Sequence, residues 1–455
     1  MRRLFGTDGI RGVAGEFPLD DATVRSIGRA LGRRLVAQDP KPSVVLGQDT
    51  RESSAWIADA LSAALAAAGV EVKSAGVIPT PGVAHLAKAR GFTAGVVVSA
   101  SHNPWTDNGI KVFGGDGYKL ADAVELEIEH EIFAELAAGK EQASSGAPAE
   151  ATLPGDAALR ETYIEWLVSG LREHVAGQDF SGLHVMADCA NGAATAVAGE
   201  VLKRAGVKHN LSHNHPSGKN INEKCGALFP EVVAKEVVQR KANLGISFDG
   251  DADRCLLADA NGKVVNGDGI LLLLARDLKQ RGKLKNDTVV ATTMSNMGLE
   301  VALAREGIRM LRAPVGDKYV LEEMQRAGAN LGGEQSVHVI LLDDATTGDG
   351  LLTALMVLSA VARSGKPLHE LVRDLKVFPQ TIKNVRVRER KPLEQVSEVA
   401  QAISAAEKAL AGNGRVVVRY SGTEALCRVM VEAESEALMR QHAEAIAAAV
   451  AKALG

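Results

Sequence analysis

Short apolar runs recur along the chain, each followed by a turn and then by an Ala/Leu-rich stretch with helical spacing. "SVVLGQDT", starting at Ser43, reads as a strand, and "WIADALSAALAAAG" after it reads as a helix stopped at Gly69. "VEVKSAGV" then resumes as a strand. The same alternation returns in "GLHVMADCANGAATAVAGEVLKRAG", in "TVVATTMSNMGLEVALAREG" and in "RVVVRY". Strand–helix alternation of this kind predicts α/β domains with parallel or mixed sheets. At 455 residues, three or four such domains are expected. The stretch from Ala137 to Ala157 is rich in Ala, Gly, Ser and Pro and reads as a surface linker. A second break is expected after Arg254, where "LLADANGKVVNGDG" looks like a hairpin entering a new unit. A third is expected near Phe378-Pro379, and the last unit closes with the helical "EALMRQHAEAIAAAVAKALG". No fixed-period sequence repeat is visible.

Composition narrows the class. Hydrophobic content of 46% and charged content of 24% describe an ordinary soluble globular chain. A net charge of −4 provides no global basic field, so nucleic acid and anionic membrane are not expected as partners. Aromatic residues make up only 4%, which argues further against stacking platforms for single-stranded bases. Met1-Arg2-Arg3 superficially suggests a twin-arginine signal, but Gly6, Asp8 and Arg11 interrupt any apolar segment behind it. No run has the length and apolarity of a membrane span. Cys189, Cys225, Cys255 and Cys427 are widely separated, without metal-site spacing, and read as reduced structural thiols of a cytoplasmic protein.

Five clusters carry candidate chemistry. "VVVSASHNPWTDNGIK" ends a buried-type strand in Ser99, Ser101, His102 and Pro104, and returns on Lys111. Strand ends of open α/β sheets are where ligands gather. "ISFDGDADR" alternates Asp249, Asp251 and Asp253 with small residues, so the three carboxylates can converge, and they repel one another unless a cation intervenes. An EF-hand loop is ruled out, because Arg254 replaces its glycine and Ala260 its bidentate Glu. Mg²⁺ suits the site best, as it takes a few carboxylates and completes its octahedron with waters and phosphate oxygens. "GGEQSVHV" offers Glu334, Ser336 and His338 for hydroxyl recognition. "VVVRYSGTEALCR" brings Arg419, Ser421, Gly422, Thr423 and Arg428 together as an anion cradle. "FGTDGIRG" places Arg11 among glycines at positions 6, 9 and 12. A cation site, an anion cradle and a serine at a strand end combine into phosphoryl transfer. The chain has neither a P-loop nor a Gly-x-Ser-x-Gly elbow, and a phosphorylated serine beside Mg²⁺ fits better than a P-loop kinase or a serine hydrolase.

In this order across nearly the whole chain, "SASHNP", "DGDADR", "GGEQS" and "RYSGTE…R" resemble the α-D-phosphohexomutases. "FGTDGIRG", "MSNMGLE", "VGDKYV" and "TTGDG" are similar to the branch acting on glucosamine phosphate. The resemblance implies four domains around a central cleft. The first three would share a mixed-sheet α/β core and the last would be a smaller α+β domain. The expected division is 1–150 with the phosphoserine loop, 151–254 with the metal loop, 255–375 with the sugar loop and 376–455 with the phosphate cradle. Carried onto this sequence, Ser101 becomes the phosphoserine and, with Asp249, Asp251 and Asp253, holds Mg²⁺. Glu334 and Ser336 bind sugar hydroxyls. Arg419, Ser421, Gly422, Thr423 and Arg428 grip the phosphate that is not transferred. His102, Arg11, Lys111 and His338 are the candidates for transition-state stabilisation or proton transfer.

The implied reaction interconverts glucosamine 6-phosphate and glucosamine 1-phosphate through a 1,6-bisphosphate, supplying UDP-N-acetylglucosamine for cell-wall synthesis. A glucosamine or glucose 1,6-bisphosphate acts as primer, an activating kinase is the other source of the first phosphate, and a homodimer is implied. Two alternatives stay open, a mutase for mannose or glucose phosphate with the same chemistry, and a silent sugar-phosphate sensor. One departure bears on them. Val337 stands where the family's sugar loop usually carries glycine, and a β-branched residue there would strain the loop if φ is positive.

Overall fold

The computed structural model describes residues 4–6, 8–137, 153–174, 179–421 and 425–455. Most of the expected linker, residues 138–152, lies outside them, as do Gly422 and Thr423. The chain divides into two compact units: Met1–Thr293 with Leu311–Val372, and Met294–Met310 with Arg373–Gly455.

The first unit contains three mixed sheets built on one plan. In the six-stranded sheet, Ser43–Gln48 runs parallel to Glu71–Val77 and Ala94–Val98, and Ala94–Val98 pairs antiparallel with the return strand Asp107–Gly114. In the five-stranded sheet, His184–Asp188 runs parallel to Lys208–Ser212 and Leu244–Phe248, and Leu244–Phe248 pairs antiparallel with Cys255–Asp259. In the third sheet, Thr288–Thr292 runs parallel to Leu331–Gly333, which pairs antiparallel with Val339–Leu341. Ala94–Val98 and Leu244–Phe248 are buried throughout, because helices cover both faces, and they read as unbroken apolar runs.

This plan places the chemistry. Each of the first three candidate loops connects a parallel strand to its antiparallel return strand: residues 99–106, 249–254 and 334–338. The repeat is topological and leaves no periodic sequence signal. It also corrects one expected boundary. The strands Cys255–Asp259 and Val264–Val265 pair with each other and complete the second sheet, so the break after Arg254 cuts through that sheet. A return strand behind a polar turn has the same local pattern as a strand opening a new domain, and only the pairing distinguishes them.

The second unit is α+β. Gln380–Arg386 and Gly414–Tyr420 flank Leu426–Ala433 in an antiparallel sheet, and the helices Ser397–Leu410 and Glu436–Leu454 pack on the same core as that sheet. The helix Met297–Arg305 also belongs to this unit. Its cap Asn296 donates to Phe378 O at 3.0 Å and to Glu432 Oε1 at 2.6 Å. Among the described residues, no helix is long and apolar enough to cross a membrane.

Candidate active site

Ser101 stands at the turn after the valine strand, with a left-handed backbone at φ 52°. Its Oγ donates to Asp249 Oδ2 at 2.5 Å and lies 3.3 Å from His102 Nδ1. Burial and the charges of Arg254 and Arg11 push the His102 imidazole pKa down, which favours the neutral ring beside the serine. The loop itself is clamped from behind. Arg51 is fully buried in an ion pair with Asp49 at 2.8 Å. Its guanidinium donates to Ser101 O (2.9 Å), Asn103 O (2.9 Å), Asp107 O (3.0 Å) and Pro104 O. Asp49 also accepts from Ser99 Oγ at 2.6 Å, and Ser99 Oγ accepts from Ser101 N at 3.0 Å. From the loop after the strand Lys208–Ser212, Asn222 Nδ2 reaches the carbonyls of Ser101 at 2.9 Å and Asn103 at 3.2 Å. Gly250 permits this approach, because a Cβ there would sit 2.4 Å from Ser101 O.

Asp249, Asp251 and Asp253 converge as the sequence predicts, all three buried, with a ligand oxygen of each within 4.8 Å of the others. Lys111 completes the group. Ile110 and Val112 face the hydrophobic core, so strand alternation turns Lys111 the other way. Its Nζ lies 2.8 Å from Asp251 Oδ2, 2.9 Å from Asp8 Oδ2 and 3.7 Å from Asp253 Oδ2. Burial opposes the ammonium, but Asp251, Asp8 and Asp253 outweigh it and raise the Lys111 pKa. Burial and the neighbouring Asp253 and Asp251 push the Asp249 carboxyl well above the usual range. Asp253 moves the other way. Burial would raise it, but Lys111 and His338 hold it down. Lys111 and Arg254 together face three buried carboxylates, and the raised Asp249 carboxyl marks the repulsion they leave in place. Asp251 Oδ1 and Asp253 Oδ1 are also buried without a hydrogen-bond partner. Orphaned hard oxygens with surplus negative charge fit a hard divalent cation.

A cavity of about 460 Å³ opens onto this floor, lined among others by Asp8, Arg11, His102, Asp253, Arg254, Asp317, Glu334, Ser336 and His338. Arg11 pairs with Asp8 and donates to Ala100 O (3.3 Å) and Asn103 Oδ1 (3.2 Å), so it braces the serine loop from the cavity side. Glu334 Oε1 accepts from Gly316 N at 3.1 Å, and Ser336 Oγ donates to Glu334 Oε2 at 3.2 Å. Gly348 N donates to His338 Nε2 at 3.1 Å, so in the neutral ring the proton sits on Nδ1, 3.5 Å from Asp253 Oδ2. A Cβ at Gly348 would meet the His338 ring at 2.5 Å. Val337 does adopt φ 70°, the left-handed backbone that glycine would hold without strain, and its side chain is buried.

In the second unit, Arg419 and Arg428 are direct cross-strand partners. Like charges placed directly opposite are destabilising, and a bound anion removes that cost. Ser421 follows at the strand end, buried, its N–H donating to Leu426 O at 2.8 Å.

Sequence reasoning gathers Ser101, His102, Arg11, Lys111, the three aspartates, Glu334, Ser336 and His338, and the first unit brings them together. It misses Asp8, Arg254 and Asp317. Lys119 Nζ links Asp8 and Asp317 at 2.5 Å to each. These three residues do stand inside the "FGTDGIRG", "DGDADR" and "VGDKYV" motifs, which is the signal that could have found them.

Known proteins resemble the chain over its whole length. Sequence models of the phosphoglucomutase/phosphomannomutase family match four consecutive stretches: α/β/α domain I at 2–138, α/β/α domain II at 161–262, α/β/α domain III at 266–378 and the C-terminal domain at 382–449. The chain is 61% identical to a phosphoglucosamine mutase of Koribacter versatilis, over 100% of this chain and 98% of that protein. It is 48% identical to one of Solibacter usitatus, over 99% of each. A crystal structure of a phosphoglucomutase/phosphomannomutase family protein from Burkholderia thailandensis superposes with a TM-score of 0.78 at 24% identity, covering 98% of this chain and 97% of that one. With a serine on an aspartate cluster, a polar cavity beside it and four matched domains in sequence, this chain belongs to the phosphoglucomutase/phosphomannomutase family.

Proposed function

We infer that the protein is a phosphoglucosamine mutase, interconverting glucosamine 6-phosphate and glucosamine 1-phosphate through phospho-Ser101 and a 1,6-bisphosphate. The observation that carries this reading is Ser101 Oγ on Asp249, at the edge of a buried triad whose other two carboxylates each keep an unpaired oxygen. The substrate assignment draws support from relatives named phosphoglucosamine mutase at up to 61% identity over the full chain.

Asp249, Asp251, Asp253 and a phosphoserine oxygen would hold Mg²⁺. When bound, the ion neutralises charge on the transferring phosphoryl group. Glu334 and Ser336 receive the sugar hydroxyls. Arg419, Ser421, Gly422, Thr423 and Arg428 take the phosphate that stays in place, as forked guanidinium donors do well. In the first transfer the P–Oγ bond of phospho-Ser101 breaks and a bond forms from phosphorus to the free sugar hydroxyl, which loses its proton. His102, beside Ser101 Oγ, is positioned to move that proton, while His338, its Nε2 taken by Gly348 N–H and its Nδ1 facing Asp253, acts by stabilising charge at the aspartates. Lys111 and Arg11 stabilise the charge left at Oγ. The bisphosphate then reverses, and its other phosphoryl group returns to Ser101.

The four working domains we propose follow the expected division, with the second extended past 254 to include the hairpin that completes its sheet. A cytoplasmic homodimer, primed by a sugar 1,6-bisphosphate or by a kinase, completes the reading. The test is mass spectrometry of the Ser101 peptide after incubation with glucose 1,6-bisphosphate. One phosphate on Ser101, discharged by glucosamine 6-phosphate, is expected. A phosphate on another residue, or none in active protein, contradicts the relay.

A further inference from the structure

A second group of convergent ligand atoms lies outside the catalytic aspartates. One oxygen of Asp188, one ring nitrogen of His213 and the sulfur of Cys225 lie within 4.8 Å of one another. They come from three separate segments: the end of the strand His184–Asp188, the residue after Lys208–Ser212, and the residue before the short turn Gly226–Leu228. Asp188 and Cys225 are fully buried, and the His213 side chain is 30% exposed. Backbone amides orient the carboxylate, Ala190 N–H to Oδ1 at 2.8 Å and Gly226 N–H to Oδ2 at 2.9 Å. Outer bonds of this kind fix metal-ligating carboxylates. His213 Nδ1 pairs with Asp188 Oδ2 at 3.1 Å, so the ring nitrogen and the carboxylate already point at one another.

The chemistry of the set selects the ligand. The charged groups acting on His213 and Cys225 are Asp188, Glu236 and Glu223, all acidic, so the local field attracts a cation. One oxygen, one nitrogen and one sulfur suit a borderline ion, whereas Mg²⁺ and Ca²⁺ prefer oxygen alone. Ligands at zinc distances around a tetrahedral ion stand about 3.3–3.8 Å apart, so small adjustments bring these three into place.

We propose that Asp188, His213 and Cys225 bind one divalent cation of the zinc class, at a site separate from the catalytic metal. Binding takes the neutral imidazole, releases the Cys225 thiol proton to solvent and leaves the fourth position to water. Its place in the fold gives it a purpose. Asn222, three residues before Cys225, holds the carbonyls of Ser101 and Asn103. Asn191, three residues after Asp188, accepts Thr50 Oγ1 at 2.5 Å. An ion on the triad ties the loop of Asn222, which braces the phosphoserine loop, to the loop of Asn191, which holds Thr50 beside the clamp residue Arg51.

The test uses the full chain, stripped with a chelator, freed of it and titrated with Co²⁺ alone. One equivalent is expected to give a thiolate-to-metal charge-transfer band and tetrahedral d–d bands, bleached by one equivalent of Zn²⁺. The bands persist in Asp251→Asn, which separates them from the catalytic site, and are absent in Cys225→Ser. His213→Gln, at the half-exposed ligand, weakens Co²⁺ binding at least tenfold. The wild-type titration needs no variant to fold. A folded wild type without the thiolate band overturns the proposal, and so does a band that survives in Cys225→Ser.

Discussion

Replacing Arg51 probes how the serine loop is held. The side chain has no exposed surface and pairs with Asp49, whose carboxylate is equally buried. Arg51→Met removes one partner of a buried ion pair, a loss of about 3–5 kcal/mol. It also withdraws donors from four carbonyls of the segment 101–107. Asp49 keeps Ser54 Oγ at 2.8 Å, Ser99 Oγ at 2.6 Å and the backbone N–H of residue 51 at 3.0 Å, which limits the damage. The terms are not additive, and about 5 kcal/mol is the expected total. Arg51→Lys separates charge from shape. Its ammonium can still meet Asp49, but it cannot serve four carbonyls in the fork geometry. It should recover most of the stability while leaving the loop displaced, and a displacement near 1 Å costs roughly 100-fold in kcat. KM should move little, because the sugar-facing residues sit on other loops. Thermal unfolding together with steady-state kinetics of both variants decides the matter. Arg51→Lys with wild-type kcat, or Arg51→Met losing under about 1 kcal/mol, would refute the clamp.

Three other changes have expected signs. Asp251→Asn removes a carboxylate from the triad and a partner from Lys111, so the Mg²⁺ concentration giving half-maximal turnover should rise at least tenfold; an unchanged Mg²⁺ dependence would contradict the site. At Val337, held at φ 70°, Val337→Gly relieves backbone strain while losing apolar burial. Val337→Ala loses the burial and keeps the strain, so the Gly variant should unfold about 1 kcal/mol later than the Ala variant; the reverse order would mean the loop is unstrained. Burial raises the Asp349 carboxyl from 3.8 to about 6, partly offset by bonds from Leu352 N and Tyr163 Oη. The folded protein therefore holds a proton that the unfolded chain releases, and this stabilisation is lost as pH rises from about 4 through about 6. Asp349→Asn keeps the helix cap without the charge, so wild type should lose stability relative to it across that interval, and parallel melting profiles from pH 4 to 7 would contradict this.

The site was legible wherever polar residues interrupt a buried run. Ser101 after the valines and Asp249 after Phe248 stand out because a fully buried strand has no other reason to end in them. Val337 was legible as a departure, and its left-handed backbone follows from the turn that Glu334 O closes with Val337 N at 2.9 Å. Arg51 and Asn222 were not legible. Their partners on the serine loop lie 50 and 121 residues away in sequence, and the polar runs around them, "QDTRESS" and "SGKNINEK", look like ordinary surface turns. The Asp188–His213–Cys225 group was hidden for the same reason, since its ligands come from three segments with no metal-site spacing. The boundary after Arg254 failed because a return strand and an opening strand look alike without their partners.

The central claim is tested most directly by turnover of glucosamine, glucose and mannose phosphates by wild type and Ser101→Ala, with Mg²⁺ and a catalytic bisphosphate. The account predicts a marked preference for glucosamine phosphate that vanishes in the variant. Preference for glucose or mannose phosphate would overturn the substrate, and an active Ser101→Ala would overturn the phosphoserine relay itself.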